Sequence, residues 1–347
     1  MTRGARNGRA RAGFTLIEAV VVLAVIGILL ALVVPAVMVA RESAWKAECA
    51  NRLKQLGIAL HSHQSIYNHF PSPMPPRTFR GGSSFANFDS ISGYYELLPF
   101  LELVSVYNSI NTGYAYRGFH LEFQADHPHN QTAFSTRLSH FVCPSDNKKN
   151  SSEGKGPNSF RFNVGLSDPF IDAGSPKAGA FEGLIFLAPS EFRDGLSRTV
   201  GMSERLLSDP IHAGYFDRNR DYWCAGVVRL IDTTDADSTL RVCRSLQDEP
   251  YYYVSKMGYS WMMAGPVNMW YNHVAPPNEK WPDCSTGHGN MSDPYYCHTC
   301  SIAARSVHYG GVHGLMMDGG VRFVGNGIDL QVWRAMGTRS GGESFSN

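Results

Sequence analysis

The sequence predicts an α+β protein in which a long N-terminal helix, transmembrane in its first half, precedes a β-rich, mainly antiparallel globular head. Residues 14–35 carry a single charge, at Glu18, and are long enough to cross a bilayer once. Downstream, glycine, tyrosine and phenylalanine are abundant, and short apolar segments alternate with turn residues, which is typical of β-rich domains. The 347 residues can bury a sizeable core, in one large globular unit or in two packed lobes.

A basic leader, residues 1–13, precedes the apolar stretch and contains four arginines and no acidic residue. Positive charge before a span favours a cytoplasmic leader, so we expect a single-pass protein of the cytoplasmic (inner) membrane with its head outside the cytoplasm or at the cell surface. A secretory signal has its small-residue cleavage site after the apolar core, whereas here a glycine precedes that core. The apolar helix should therefore survive cleavage. Without the leader arginines, 27 basic residues stand against 30 acidic ones, which does not indicate a nucleic-acid partner.

The motif GFTLIE at residues 13–18 resembles the processing site of type IV prepilins. The resemblance implies that a prepilin peptidase cleaves after Gly13 and N-methylates Phe14. Glu18 then stands fifth, where this family pairs its acid with the amino terminus of a neighbouring subunit, and Pro35 stands where the family commonly has a helix-kinking proline. An acid inside a span is costly unless a partner satisfies it. The alternative is a plain single-span anchor in which Glu18 occurs by chance.

Residues 36–67 continue the helix as an amphipathic segment. Residues spaced by three and four positions form one helical stripe, which consists of Trp45, Cys49, Leu53, Leu56, Leu60, His63 and Tyr67. Charged residues supply the other face. The stripe is short for a coiled coil and a large domain follows, so we expect it to pack on the head. The helix should end before the prolines Pro71, Pro73, Pro75 and Pro76.

An ordered series of motifs resembles the DUF1559 family, whose members carry a prepilin-type start. The motifs are NRLKQLGIALH at residues 51–61, FP at 70–71, LLPFLE at 97–102, YN at 107–108, FVCPSD at 141–146, DGLSRT at 194–199, ER at 204–205, SVHYGG at 306–311 and DGGVRF at 318–323. The last two contain the family's terminal signature, a histidine, nine residues and Asp-Gly (H-X9-DG). The resemblance implies that residues 68–347 form a DUF1559-like head. Arg198 and Gly320 depart from the family, which usually has asparagine and serine there.

The terminal signature has a structural and a functional interpretation. Residues 312–317, the turn Asp318-Gly319-Gly320 and residues 321–324 predict a β-hairpin, because Asp-Gly favours the positive backbone angles of a tight turn. The functional interpretation brings a histidine and carboxylates together to bind a metal or a partner. The residues concerned are His308, Asp318, Gly319, Asp194, Gly195 and Glu204. We favour the structural interpretation, in which the two Asp-Gly pairs close turns.

Seven cysteines leave at least one unpaired if the others form disulfides within the chain. Cys49 lies on the helical stripe, so we predict that it is buried as a small apolar residue. Disulfides are the default outside the cytoplasm, and the candidates are Cys224, Cys243, Cys284, Cys297 and Cys300. Zinc is the alternative, with ligands from Cys284, His288, Cys297, His298 and Cys300. A single Cys-x-x-Cys is a weak zinc motif, so we favour disulfides and predict no metal.

Residues 206–300 form a variable insert, rich in aromatic residues and cysteines, outside the family motifs. Its aromatic residues include Tyr251, Tyr252, Tyr253, Trp261, Trp270, Tyr271, Trp281, Tyr295 and Tyr296. They could form a face that binds carbohydrate or protein, although filling a β-rich core is the commoner use. We expect any binding specificity that distinguishes this chain from the rest of the family to reside in this insert.

These features predict a pilin- or pseudopilin-like protein associated with type II secretion or type IV pilus-like machinery. The expected partners are the prepilin peptidase, membrane lipid and other pilin-like subunits or secretion machinery, and no cofactor is expected. The chain has no nucleophile elbow, HExxH helix or phosphate-binding glycine loop, so we predict that it is not an enzyme. The alternatives are a non-polymerising surface-anchored protein that binds carbohydrate or protein, and a metal-dependent enzyme.

Overall fold

The computed structural model describes residues 15–75, 91–112, 130–146, 155–166, 174–183, 185–208, 217–224, 235–245, 252–254, 257–285 and 300–343. The chain divides into two compact units, Met1–Trp45 and Lys46–Asn347. The helices are α1 (Leu16–Tyr67), α2 (Tyr94–Leu97), α3 (Val104–Ser109), α4 (Gln131–Ser135), α5 (Ala236–Ser245), α6 (Pro266–Met269) and α7 (Leu330–Gly337). The strands are β1 (Phe160–Asn163), β2 (Val200–Glu204), β3 (Tyr222–Cys224), β4 (Tyr252–Val254), β5 (Trp270–Tyr271), β6 (Asp283–Ser285), β7 (Cys300–Ser301), β8 (Gly311–Met316) and β9 (Val321–Gly325).

The first unit consists, in its described part, of the apolar beginning of α1. Every large apolar side chain of residues 16–39 is exposed, and Pro35 lies inside the helix without ending it. A helix whose surface is apolar on every side, and that buries no side against the protein, needs an apolar environment such as a lipid bilayer. Among the described residues, α1 is the one helix that is long and apolar enough to cross a membrane.

The second unit begins with the amphipathic end of α1. The central stripe residues are buried as predicted, and the buried set is Cys49, Leu53, Leu56, Gly57, Ala59, Leu60 and His63. The stripe ends earlier than predicted, because Tyr67 is 53% exposed. The helix ends at Tyr67, and Asn68 follows with a φ of +64°, a left-handed conformation common after helix ends. Its N–H donates to the carbonyl of Gln64, which satisfies one terminal backbone group.

Two mixed sheets form the framework of the second unit. The larger has the order β5-β1-β2-β8-β9, and the smaller has the order β4-β3-β6-β7. Five of the described strand pairs are antiparallel, whereas β1 with β5 and β3 with β6 are parallel. The α+β class and the mainly antiparallel head are therefore confirmed. The β8–β9 hairpin is also confirmed, since Val312 pairs with Val324 and Leu315 pairs with Val321.

The main core lies between the amphipathic end of α1 and the larger sheet. Leu53, Leu56 and Leu60 belong to the same buried cluster as Phe162 of β1 and Leu315 of β8. The helix comes closest at Gly57, where a Cβ would lie 2.8 Å from Leu315 Cδ1 and 3.4 Å from the Cα of Gly319. This close approach requires glycine, which has no side chain.

Candidate functional site

The start of α1 carries a reciprocal cap between Thr15 and Glu18. The backbone N–H and the hydroxyl of Thr15 both donate to Glu18 Oε2, at 2.9 and 2.7 Å, and the N–H of Glu18 donates to Thr15 Oγ1 at 3.3 Å. This is a capping box, which satisfies two backbone donors that a helix start leaves free. Glu18 thus has a partner within its own helix, which the sequence analysis did not predict. Gly13 and Phe14 lie outside the described residues.

A buried cluster of one glutamate and two histidines lies where β2 and β8 pair. Ser203 pairs with Gly314, so Glu204 at the end of β2 falls opposite His313 on β8. The N–H of His313 donates to Glu204 Oε2 at 2.7 Å, and its Nδ1 lies 3.3 Å from the carboxylate. His308, in the turn before β8, places Nε2 3.2 Å from Glu204 Oε1. All three residues are at least 95% buried.

Electrostatics in this cluster favours the charged carboxylate. Burial by itself would raise the pKa of Glu204, but hydrogen bonds and charge from His308 and His313 outweigh it and hold the pKa below its ordinary value. A buried carboxylate is tolerated only with such partners. Of the predicted residues, the structure brings His308 and Glu204 together, and His313 completes the group. The alternation of side chains along β8 could not identify His313 because every residue of that strand is buried.

A disulfide between Cys49 and Cys143 adjoins the cluster. The sulfurs are bonded, and Cys143 Sγ lies 3.6 Å from His308 Nε2. The prediction that Cys49 is a small apolar residue was therefore wrong in its chemistry, although Cys49 is fully buried. The 94 residues that separate the two cysteines hide the pair from any local pattern. The bridge joins α1 to the segment that follows the 3-10 turn Ser139–Phe141.

The other cysteines form bridges where the structure describes them. Cys243 on α5 is bonded to Cys284 on β6, and Cys300 is disulfide-bonded as well. Cys284 therefore cannot act as a thiolate ligand in this state, which disfavours the predicted zinc alternative. The predicted residues His288, Cys297 and His298 lie outside the described residues, as does the side chain of Cys224.

The two Asp-Gly segments close turns. Asp318 is exposed, and its Oδ1 accepts from the N–H of Gly320 at 2.8 Å, while Gly319 has a φ of +83°. The Asp194 carboxylate accepts from the N–H groups of Gly341 and Gly342, at 2.7 and 3.0 Å, which holds the chain after α7. Gly195 also has a positive φ, of +98°. These contacts agree with the structural interpretation, and the described contacts of Asp318 do not include His308.

A cavity lies between the same hairpin turn and the end of α1. Its volume is about 340 Å³, and its lining includes Lys54, His61, Ser62, Asp318 and Gly319. Lys54 Nζ donates to the carbonyl of Gly319 at 2.7 Å, and His61 Nε2 is buried without a hydrogen-bond partner. No local sequence pattern predicts this cavity, because its two walls are more than 250 residues apart in the chain.

Three aromatic residues of the insert fill the interior, whereas Trp281 is partly exposed and the side chains of Tyr252 and Tyr253 lie outside the described part of the chain. Trp261, Trp270 and Tyr271 are at most 2% exposed. Trp261 Nε1 donates to the carbonyl of Thr136 at 2.9 Å, so its polar atom is satisfied inside the protein. These three residues therefore serve the core and not a binding face. Tyr251, Tyr295 and Tyr296 lie outside the described residues.

Comparison with known proteins gives two matches. A family model described as a protein of unknown function (DUF1559) matches residues 38–331. A second model, the prokaryotic N-terminal methylation motif, matches residues 8–34. No curated protein and no solved structure matches the chain.

Proposed function

The chain belongs to the DUF1559 family, and we propose that it acts as a pilin- or pseudopilin-like subunit of type II secretion or type IV pilus-like machinery. Its methylation motif implies a type IV pilin-like protein that is processed as a prepilin, and its one apolar N-terminal helix implies a single-pass membrane anchor. The finer assignment adds that the head lies outside the cytoplasm and that the helix contacts other pilin-like subunits. The peptidase performs the chemistry on the chain, so the proposal requires no catalytic activity and no cofactor of the chain itself.

The position of Glu18 carries the proposal. An anchor needs apolar length alone, and a carboxylate inside a span opposes insertion. Here the single acid of the span lies in the first turn of α1, five residues after the cut that the motif predicts. A neighbouring subunit's free amino terminus would supply the positive charge that a carboxylate at this depth needs. Both capping contacts from Thr15 go to Glu18 Oε2, so the other carboxylate oxygen, Oε1, takes no part in the cap.

Glu18→Gln separates capping from subunit pairing. Glutamine still closes a capping box but carries no charge, whereas Glu18→Ala removes both functions. We expect Glu18→Gln to be cleaved after Gly13 and membrane-inserted, yet to lose incorporation into filaments or copurification with pilin-like components. Mass spectrometry of the amino terminus and cross-linking in membranes measure the two steps. Wild-type assembly of Glu18→Gln would refute subunit pairing and favour a plain anchor.

Processing is tested at the residue before the cut. Gly13→Val places a branched side chain where the motif has glycine, so we expect the leader to remain attached. Gly8→Val makes the same change within the leader but away from the cut, and we expect normal cleavage. Mature protein that begins at Phe14 in the Gly13→Val variant would contradict prepilin processing.

The cavity at the end of α1 supports a second candidate function, that of a non-polymerising anchored binding protein. Its lining offers a cation, a carboxylate, hydroxyls and a histidine nitrogen without a hydrogen-bond partner, which suit a small polar ligand such as a sugar. The Glu18→Gln experiment distinguishes the two functions. An anchored binding protein tolerates the change, whereas a subunit that pairs through Glu18 does not.

A further inference from the structure

Four side chains that zinc commonly uses converge beside the buried carboxylate. They are Cys49, Cys143, Glu204 and His308, and their ligand atoms all lie within 4.8 Å of one another. All four are buried, with at most 3% of each exposed. We propose that reduction of the Cys49–Cys143 bridge turns this cluster into a tetrahedral zinc site of two thiolates, one imidazole and one carboxylate. The bridge then acts as a redox gate that decides whether the head can hold a metal.

The distances between the ligand atoms support a tetrahedral site. Zinc bound at about 2.0–2.1 Å to nitrogen or oxygen and about 2.3 Å to sulfur gives tetrahedral edges of about 3.5 Å between nitrogen and sulfur and about 3.4 Å between nitrogen and oxygen. The structure has 3.6 Å from His308 Nε2 to Cys143 Sγ and 3.2 Å from His308 Nε2 to Glu204 Oε1. Both edges are already in place while the bridge is closed.

The sulfur–sulfur edge is the one that must change. The two sulfurs are bonded to each other and are therefore too close to bind one zinc together, since two thiolates on one zinc are about 3.8 Å apart. Reduction removes the bond that prevents this separation. The Cα atoms of the two cysteines are 4.9 Å apart, so rotation of the two side chains is enough to open the pair and the backbone need not move far.

His313 positions the carboxylate for this role. Its N–H donates to Glu204 Oε2 at 2.7 Å, while Oε1 lies 3.2 Å from His308 Nε2 and 3.3 Å from His313 Nδ1. Metal-binding carboxylates are usually held by a hydrogen bond of this kind, which fixes their orientation. His313 is therefore a positioning residue and His308 a ligand, although both contact the same carboxylate.

The chemistry of the gate balances in two steps. A dithiol reductant delivers two electrons and two protons to the Cys49–Cys143 bond, which becomes two thiols while the reductant forms its own disulfide. Zn²⁺ then binds both sulfurs and displaces the two thiol protons to solvent, and it replaces any proton that His308 Nε2 holds. Two thiolates and one carboxylate against Zn²⁺ leave one net negative charge at the site.

The second described bridge provides the matched control. Cys243 and Cys284 are also buried and bonded, but within the described residues they belong to no comparable group of histidine and carboxylate ligands. Full-length protein in detergent is reduced with a phosphine, which opens disulfides, and then dialysed against Zn²⁺. We expect reduced wild type to bind one more zinc per chain than the double variant Cys49→Ser, Cys143→Ser, whereas oxidised wild type should lack this zinc. The double variant Cys243→Ser, Cys284→Ser should keep it.

Co²⁺ in place of Zn²⁺ reports which atoms bind. We expect sulfur-to-cobalt charge-transfer absorption and tetrahedral ligand-field bands in reduced wild type, and their weakening in His308→Gln and Glu204→Gln. His313→Gln should keep the tetrahedral spectrum and lower the affinity about 10–100-fold. Near-UV circular dichroism shows whether each variant is folded. If a variant is unfolded, the comparison of zinc bound by reduced and oxidised wild type tests the proposal instead. Equal zinc in reduced and oxidised wild type, or an unchanged cobalt spectrum in a folded His308→Gln variant, would overturn the proposal.

Discussion

The two parts of α1 show how one continuous helix is adapted to two different surroundings. In residues 16–39 the large apolar side chains are all 46–84% exposed, and no face of the helix is buried. In residues 46–67 Cys49, Leu53 and Leu56 are fully buried, whereas Ile58 and Ile66 remain more than half exposed. The apolar character of a residue on this helix therefore does not reveal what it does. Its position relative to the head decides whether a substitution affects folding, and paired substitutions in the two parts test this.

The largest expected difference is between two leucines. Leu53→Ala removes a side chain from the main core and should destabilise the head by about 2–5 kcal/mol, because the lost burial and the cavity add. Leu23→Ala changes a residue that is 69% exposed and should leave the unfolding of the head unchanged. Urea unfolding of the full chain in detergent, followed by near-UV circular dichroism, measures both. Equal midpoints for the two variants would contradict the division of α1.

The second prediction concerns the pH dependence that the buried end of α1 introduces. Burial lowers the pKa of His63 to about 4, although its Nδ1 donates to the carbonyl of His69 and Glu96 lies 4.0 Å from Nε2. The unfolded chain binds this proton at its ordinary pKa of about 6.5, so the folded state is favoured above that pH and loses stability as the pH falls toward 4. The loss amounts to at most about 3 kcal/mol.

The His63→Gln variant tests this dependence. Stability of the wild type and of the variant is compared at pH 7 and at pH 4.5 in the same detergent. We expect the wild type to lose more stability over this interval, because only the wild type has His63 to protonate. The other histidines contribute equally to both proteins. Parallel losses would show that His63 is not the group responsible.

A smaller difference is expected between two glycines of α1. Gly57→Leu forces a side chain against Leu315 and the backbone of Gly319, and overpacking of this kind costs about 1–3 kcal/mol. Gly27→Leu meets nothing within 4 Å and gains the same helix propensity, so the pair isolates the effect of packing. Thermal unfolding of both variants is the measurement, and a Gly57→Leu protein as stable as Gly27→Leu would refute the close approach.

The smallest expected difference is between two cation–π contacts. Lys46 Nζ lies 3.3 Å from the centre of the Phe323 ring, and Lys46→Ala should destabilise the head by about 0.5–1 kcal/mol. Arg41 lies 4.5 Å from the centre of the Trp45 ring, within the other unit, and Arg41→Ala should not alter the stability of the head. A double-mutant cycle with Phe323→Leu separates the ring contact from the loss of charge.

Local patterns account for the features that the sequence predicted correctly. The apolar run, the stripe from Cys49 to His63 and the Asp318-Gly319 turn each depend on residues within a few positions of one another, where periodicity and turn chemistry operate. The cap between Thr15 and Glu18 is equally local and matches a Thr-x-x-Glu pattern. The two expectations for Glu18, subunit pairing and a chance acid in a plain anchor, did not include this cap.

The sequence by itself thus determined the anchor, its processing motif, the helix that enters the head and the terminal hairpin. Only the tertiary structure decided that Cys49 is bonded to Cys143 and that Glu204 faces both His308 and His313. The physical reason is distance along the chain, since about 100 residues separate Glu204 from the two histidines and 94 separate the cysteines. Pairing of β2 with β8 and packing of α1 on the larger sheet bring these groups together. Such contacts arise from the cooperative packing of the whole head, and no local spacing encodes them.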